Sequence, residues 1–142
     1  MTVHLVKLCV GIESMRELAE WQTERLKSLK RRGAKPELMH VTRQMPRRAA
    51  EILAGGSLYW VIKGRICVRH RILELRQVVK NGVPHCGIVY DPEPVATVRW
   101  PREPFQGWRY LRPQDAPPDA RALKGGNLPE TLKLELAELG LL

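Results

Sequence analysis

The sequence predicts an α+β domain, a small mixed β-barrel of about five to seven strands with flanking helices and a helix at the carboxyl end. Short runs of β-branched and apolar residues recur along residues 58–111, which indicates a succession of strands. The pairs Lys63-Gly64 and Asn81-Gly82 separate three of these runs, as in tight hairpins. Together these patterns favour a meander that bends into a barrel.

The predicted elements change in type along the chain. They are a strand at 3–10, a helix at 14–32, a strand at 38–42, a helix at 46–54, and strands at 58–63, 65–79, 83–90, 95–100 and 108–111. The first helix begins with a capping box of Ser14 and Glu17, and the second begins at Pro46. The apolar parity of the longest strand changes at Ile72, which predicts a bulge or bend near Arg71.

The size and charge of the chain limit its organisation and its partners. The 142 residues suffice for one domain with a core, which we place at 1–112. Residues 113–142 would then form a Pro-rich spacer and a carboxyl-terminal helix, 128–140, that packs on the domain. With 24 Lys and Arg against 15 Asp and Glu, the net charge of +9 favours a polyanionic partner.

The cysteines and histidines give no sign of a metal or a disulfide framework. Cys9, Cys67 and Cys86 are an odd number without a C-x-x-C pair, and each lies in an apolar run typical of a buried side chain. We therefore expect no metal and no cofactor. The amino terminus has neither a signal-peptide core nor a membrane-length apolar run, so we expect a cytoplasmic protein that does not enter a membrane.

Two groups of arginines are candidates for contacting phosphate. Arg43, Arg47 and Arg48 lie around the start of the second helix. A second group, Arg65, Arg69 and Arg71, follows the longest strand and shares one face if no bulge intervenes.

Three aromatic residues are candidates for stacking on a base: Trp60, Trp108 and Tyr110. Trp108 and Tyr110 are two residues apart and would point to the same face of an extended strand. Trp60 lies in an alternating strand, where a core position suits it equally well.

The order of the elements resembles the PUA-like superfamily, especially its EVE and ASCH branches. The resemblance rests on a short helix that ends before a glycine turn, Gly55-Gly56-Ser57, and a hydrophobic strand, although Ser57 stands where those families have an acidic residue. It covers roughly Val3 to Leu111. It implies a pseudo-barrel that binds RNA, or reads a modified base, in a cleft bordered by Lys7, the Thr42-Arg43 segment, the Tyr59-Trp60 strand and the loop of Trp108.

A second resemblance spans most of the chain. The phrases HLVKLCVG, HVTRQMPRR, GGSLYWVIKG, RHRILELR and PFQGWRYLRPQDAP look like an uncharacterised bacterial family, a domain of unknown function found mainly in alphaproteobacteria. That likeness implies no particular activity.

The function predicted from these observations is non-catalytic binding of RNA or a modified nucleotide in a basic, aromatic-lined cleft, by a monomer or weak homodimer. Two alternatives stay open. The ASCH resemblance implies a small amidohydrolase acting on a nucleoside-like substrate, with Lys7, Thr42 and Glu74 as counterparts of its lysine, threonine and glutamate, although Met39 stands where that family's lysine precedes the threonine. The leucine-rich terminal helix would instead suit a dimeric interaction module.

Overall fold

A computed structural model describes residues 1–121, which form a seven-stranded mixed sheet with two α-helices. The elements are β1 (His4–Leu8), α1 (Met15–Arg31), β2 (Leu38–Thr42), α2 (Ala49–Leu53), β3 (Ser57–Ile62), β4 (Arg65–Lys80), β5 (Val83–Tyr90), β6 (Val95–Pro101) and β7 (Trp108–Leu111). A 3-10 helix follows at Pro113–Asp115. The predicted α+β class and the order of the elements are confirmed, with ends that differ by a few residues.

The strands do not close into the predicted barrel. They are paired in the order β2-β5-β4-β3-β1-β7, with β6 beside the first half of β4, and only β1 and β3 run parallel. Among the residues that the structure describes, no backbone ladder joins β2 to β7. Side chains of β7 bridge this gap instead, because the Trp108 indole donates to the Gln44 carbonyl at 2.9 Å and the Tyr110 hydroxyl accepts from the Arg47 backbone N–H at 3.0 Å.

Both predicted tight hairpins are present. Lys63 and Gly64 join β3 to β4 with φ angles of 50° and 76°, and Asn81 and Gly82 join β4 to β5 with 51° and 75°. Two successive positive φ angles define the type I′ turn, whose twist matches that of the flanking strands.

The long strand β4 bends, and the edge opposite β3 pairs first with β6 and then with β5. Its first half pairs with β3 and β6, and its second half pairs with β5. The register shifts between Ile72 and Glu74, which confirms the bulge predicted near Arg71. A second register shift, between Ile66 and Val68, leaves Cys67 unpaired with β6 and reverses the faces of the residues before it.

The sheet is covered on both faces. On the inner face Leu5, Leu58 and Trp60 pack with Leu18 of α1. On the outer face a smaller cluster contains Val6, Tyr59, Val61, Ile66 and Leu111, with Trp100, Phe105 and Ala116 packed against it. Because neighbouring strand residues point to opposite faces, Leu5 and Val6 of β1 are both fully buried, one in each cluster.

The first part of the predicted spacer packs on the outer face. The Val98 N–H donates to the Pro118 carbonyl at 2.9 Å, and Thr97 forms a β-bridge with Asp119. The predicted carboxyl-terminal helix lies outside the described residues. No helix within residues 1–121 is long and apolar enough to cross a membrane.

Candidate functional site

A cavity of about 570 Å³ opens between the first turns of α1, the end of β1 and the inner face of the sheet. We call it the aromatic cavity, and the residues used below are Lys7, Cys9, Trp21, His40, Trp60 and Tyr90. Gly11, with a φ of 82°, turns the chain from β1 towards α1 at its rim. The volume of the aromatic cavity lies in the range of small-molecule sites.

Two residues that line the aromatic cavity each carry a buried ring nitrogen without a hydrogen-bond partner among residues 1–121. These nitrogens are Nε2 of His40 and Nε1 of Trp60, whose rings meet edge to face with centroids 5.2 Å apart. Trp60 is only 3% exposed. Each unsatisfied buried group costs roughly 1–3 kcal/mol, so such an arrangement calls for a physical explanation.

His40 is uncharged at neutral pH. Burial lowers the pKa of His40 to about 4, and the positive charge of Lys7 lowers it further in the same direction. A neutral imidazole carries one donor and one acceptor nitrogen. Nε2 of His40 is therefore either the donor or the acceptor of the ring, and it is buried.

Lys7 contributes a half-buried amine to the same cavity. Burial lowers the pKa of Lys7, and its amine has no ion-pair partner among residues 1–121. Glu17 and Glu20 also line the cavity, but Glu17 accepts from the Glu13 backbone N–H and Glu20 pairs with Arg16. The Lys7 amine is thus available to an anionic or carbonyl group of a ligand.

A buried polar network holds the Tyr90 hydroxyl. Nδ1 of His70 lies 2.9 Å from the Asp91 carbonyl, which only accepts, so Nδ1 is the donor and Nε2 the acceptor. The Gln22 amide nitrogen donates to this His70 Nε2 at 3.2 Å and to the Tyr90 oxygen at 3.3 Å. Burial raises the pKa of Tyr90 to about 12, so the hydroxyl keeps its hydrogen.

A second depression, which we call the arginine groove, has a volume of about 720 Å³. Its lining includes Arg43, Arg47, Gln77, His85, Trp108 and Tyr110. Arg43 donates through one guanidinium nitrogen to the Pro84 carbonyl at 2.7 Å, which leaves its other N–H groups available. In the part of the chain that the structure describes, the Arg47 guanidinium has neither an ion pair nor a hydrogen bond.

The strand register places the aromatic cavity next to the arginine groove. Lys7 of β1 is directly paired with Trp60 of β3 on one side and with Trp108 of β7 on the other. Paired residues point to the same face, and adjacent strands lie about 4.8 Å apart. The three side chains therefore form a row about 10 Å long, from the wall of the cavity to the wall of the groove.

Two of the predicted stacking residues, Trp60 and Trp108, lie in this row, and Tyr110 is two residues further along β7. Trp60 is part of the core and is only 3% exposed. Trp108 and Tyr110 share a face as predicted, with ring centroids 4.9 Å apart. Their polar atoms hold the segment that follows β2, through the bonds to Gln44 and Arg47.

Arg48, predicted as a phosphate contact, lies at the start of α2 with its guanidinium engaged. It forms two hydrogen bonds with the Glu51 carboxylate, at 2.6 and 2.9 Å. Arg43 and Arg47 are therefore the members of the first predicted group whose charge no carboxylate of the described residues neutralises.

The second predicted arginine group does not form one surface. The register shift at Cys67 turns Arg65 to the face opposite Arg69, so the two side chains line different depressions. Arg69 is moreover bound to both carboxylate oxygens of Asp119, at 2.8 Å each. Arg71 is exposed on the face of Arg69. The prediction that these arginines share one face required a strand without a bulge, and the register shift at Cys67 breaks that condition.

Lys7, Thr42 and Glu74 are not brought together. Thr42 is buried at the carboxyl end of β2. Its side chain points inwards, as do those of Leu38 and His40, because alternate residues of a strand share one face. Glu74 neighbours Leu75, which packs on the inner core, and therefore points outwards, where it binds Arg76 at 2.9 Å. The three functional groups do not share one pocket.

The cysteines are free thiols, and no potential metal ligands cluster. Cys67 and Cys86 are buried as predicted, and Cys9 is partly buried. Burial raises the pKa of Cys9 to about 12, which keeps it protonated at neutral pH. Within residues 1–121, no three His, Cys, Asp or Glu side chains are placed to hold a metal ion.

Sequence reasoning missed three residues of this site as lining or supporting groups: His40, Tyr90 and Gln22. His40 could have been found from its position, because it alternates with Leu38 and Thr42 in a five-residue strand and so must face inwards. The network of Gln22 and Tyr90 joins residues 68 positions apart, and no local pattern indicates it.

These observations define a class of protein: a small α+β domain with a mixed sheet, a cavity lined by aromatic residues and an adjoining basic groove. The chain belongs to the family described as "Protein of unknown function (DUF1489)", whose family model matches residues 5–142. This confirms the predicted membership in a domain-of-unknown-function family. Neither a curated protein nor a solved structure matches the chain.

Proposed function

We propose that this protein binds a nucleotide unit of RNA, or a modified nucleotide, without catalysing a reaction. The base enters the aromatic cavity and the phosphate lies in the arginine groove. The observation that carries this proposal is the adjacency of a cavity lined by aromatic residues and Lys7 to a groove lined by Arg43 and Arg47. A nucleotide unit combines a flat heterocycle with a phosphate and so matches both depressions at once.

The shape and lining of the aromatic cavity suit a flat heterocycle. Trp60, His40 and Tyr90 contribute to its lining, although Trp60 and Tyr90 are each only 3% exposed. Trp21, at the rim with 51% of its surface accessible, offers the ring on which a base can stack. Stacking of a base on an aromatic ring contributes about 1–3 kcal/mol. That gain, with hydrogen bonds to the base edge, offsets the few kcal/mol required to unstack a base from its neighbours.

The arginine groove supplies the charge that a phosphate requires. Arg47 has no partner in the described part of the chain, and Arg43 retains free guanidinium donors beside it. The row Trp60, Lys7 and Trp108 spans about 10 Å, which a nucleotide bridges from base to phosphate. The net charge of +9 favours the approach of a polyanion.

Binding without catalysis is favoured over the amidohydrolase alternative. A nucleophile needs an adjacent base to activate it, and Lys7, Thr42 and Glu74 lie apart with Glu74 on the outer face. The protonated cysteine of the cavity, Cys9, offers no thiolate.

A binding titration tests the proposal. Short single-stranded RNA, structured RNA and DNA are titrated into the protein at two salt concentrations, with tryptophan fluorescence as the signal. We expect salt-sensitive quenching by RNA. Arg47→Ala should lower the salt slope by about one, and Arg48→Ala, whose guanidinium Glu51 already binds, serves as the matched control with a smaller effect. Absence of binding, or the same salt slope for the wild type, Arg47→Ala and Arg48→Ala, would contradict the proposal.

A further inference from the structure

We infer that this protein binds a single strand of RNA several nucleotides long rather than a free nucleotide, through a second cationic patch beside the aromatic cavity. This inference rests on the proposed function and extends its ligand from one nucleotide to a strand. The patch lines a depression of about 520 Å³ that borders the start of α1, as the aromatic cavity also does. We call it the Arg65–Arg99 patch, and its lining also includes Arg16, Ile62 and Lys63.

The two arginines of the patch are diagonal neighbours on adjacent strands. Arg65 of β4 is directly paired with Pro101 of β6, and Arg99 lies two residues before Pro101 in that strand. Paired residues and alternate residues share one face, so both arginines point to the same side of the sheet. Diagonal neighbours lie about 7–8 Å apart, a distance at which two guanidinium groups can contact the same phosphate or two successive ones.

The charge of these two arginines is not neutralised within residues 1–121. Both side chains are exposed, and neither forms an ion pair with a carboxylate of the described chain. The nearby carboxylates bind other cations, because Glu13 pairs with Lys63 at 3.2 Å and Glu20 pairs with Arg16 at 3.2 Å. Two like charges on one face repel each other, and a bound phosphate replaces that repulsion with attraction.

The patch and the arginine groove lie on opposite sides of Trp60. Trp60 lines the aromatic cavity, and Ile62, two residues or about 7 Å along β3 on the same face, lines the patch. Ile62 is directly paired with Arg65 of β4, whereas the row to Trp108 leaves β3 on its other side, through β1. A strand with one base at the aromatic cavity therefore meets cations in both directions: in the groove on one side of that base and on the patch on the other.

The test compares an eight-nucleotide single-stranded RNA with the four nucleoside 5′-monophosphates, each titrated into the full chain at two salt concentrations. We expect the octamer to bind tighter and with a steeper salt slope. Arg65→Ala and Arg99→Ala should each lower the octamer's slope by about one and leave binding of the monophosphates unchanged. Arg32→Ala is the matched control, because it removes an exposed arginine at the opposite end of α1, about 25 Å from the start of that helix, and it should leave both slopes unchanged.

The outcomes separate the inference from the proposed function. An octamer that binds no tighter than the monophosphates, or whose salt slope Arg65→Ala and Arg99→Ala leave unchanged, overturns the inference and leaves nucleotide binding in place. An equal loss of slope in Arg32→Ala also overturns it, since a charge anywhere on the surface would then suffice. Binding of neither the octamer nor a monophosphate overturns both. A slope that falls in Arg65→Ala and Arg99→Ala but not in Arg47→Ala supports the patch and overturns the proposed phosphate site in the arginine groove.

Discussion

His40 lies edge-on to Trp60, with ring centroids 5.2 Å apart, and each ring carries a buried nitrogen that bonds to nothing within the described chain. A protein selected for stability alone gains by replacing such groups with apolar ones. An unsatisfied buried polar atom in a folded protein therefore calls for an explanation, such as a functional role of the residues that carry it.

This relationship predicts that replacing His40 with leucine and replacing His70 with leucine have different effects on the free energy of unfolding. His40→Leu should leave the free energy of unfolding unchanged or raise it by up to about 1 kcal/mol, because an unpaired polar atom is removed. It should also weaken ligand binding. Urea unfolding and RNA titration measure the two effects.

His70→Leu is the matched control for that substitution. Both ring nitrogens of His70 are bonded, to Gln22 and to the Asp91 carbonyl, so its loss should cost about 1–3 kcal/mol. If His40→Leu is as destabilising as His70→Leu, the unpaired nitrogen of His40 has a structural role and the interpretation of the cavity is wrong.

Acid should destabilise the protein through His40. Its pKa is about 4 in the folded chain and about 6.5 when unfolded, so the unfolded state takes up the proton first. The contribution of His40 to the free energy of unfolding is fully present above pH 7 and falls as the pH drops below about 6.5. It is lost by about pH 4, and the total loss is at most about 3 kcal/mol. Unfolding of the wild type and of His40→Leu at several pH values measures this, and parallel curves would contradict it.

The Arg69 and Asp119 pair should stabilise the packing of residues 113–119 on the sheet. Arg69 holds the pKa of the Asp119 carboxyl below its usual value through two 2.8 Å hydrogen bonds. Asp119→Asn should cost about 1 kcal/mol at pH 7, a modest figure because both side chains are partly exposed. Asp115→Asn breaks the more exposed pair with Arg112 and should cost less than about 0.5 kcal/mol. Equal losses of unfolding free energy in the two variants, measured with urea, would contradict this prediction, because the Arg69–Asp119 pair would then stabilise the fold no more than the exposed Arg112–Asp115 pair.

Gly56 should be intolerant of any side chain. A Cβ there would collide with the backbone oxygens of Ile52 and Val3, and neither can move without displacing α2 or β1. Gly56→Ala should therefore destabilise the fold by about 3 kcal/mol or more. At Gly87 the obstacle is the flexible side chain of Met39, so Gly87→Ala should cost less. The order of the two urea midpoints checks this, and the reverse order would refute it.

Local patterns in the sequence predicted most of the fold. The capping box at Ser14, the two type I′ turns and the bulge near Ile72 each depend on residues close together in the chain, and all are present. The open sheet was not predicted, because closure depends on how β2 and β7 meet across the molecule. There the side chains of Trp108 and Tyr110 replace a backbone ladder.

The site was predicted less completely, for the same physical reason. Lys7 and Trp60 line the aromatic cavity, and Arg43 and Arg47 line the arginine groove. The sequence could not show that Asp119, 50 residues away, binds Arg69, or that a bulge at Cys67 turns Arg65 to the other face. Partners distant in sequence decide which arginines stay free, and no periodicity encodes them.

The measurement that tests ligand binding in the aromatic cavity most directly is the indole N–H spectrum of ¹⁵N-labelled protein during titration with single-stranded RNA. The chain has four tryptophans, and Trp60→Phe assigns the Trp60 signal by its absence. Trp21→Phe likewise assigns the Trp21 signal. We predict that the Trp21 indole signal moves as a base stacks at the rim of the cavity, while that of Trp60, which is only 3% exposed, moves far less. An unmoved Trp21 signal at RNA saturation would contradict base binding in the aromatic cavity.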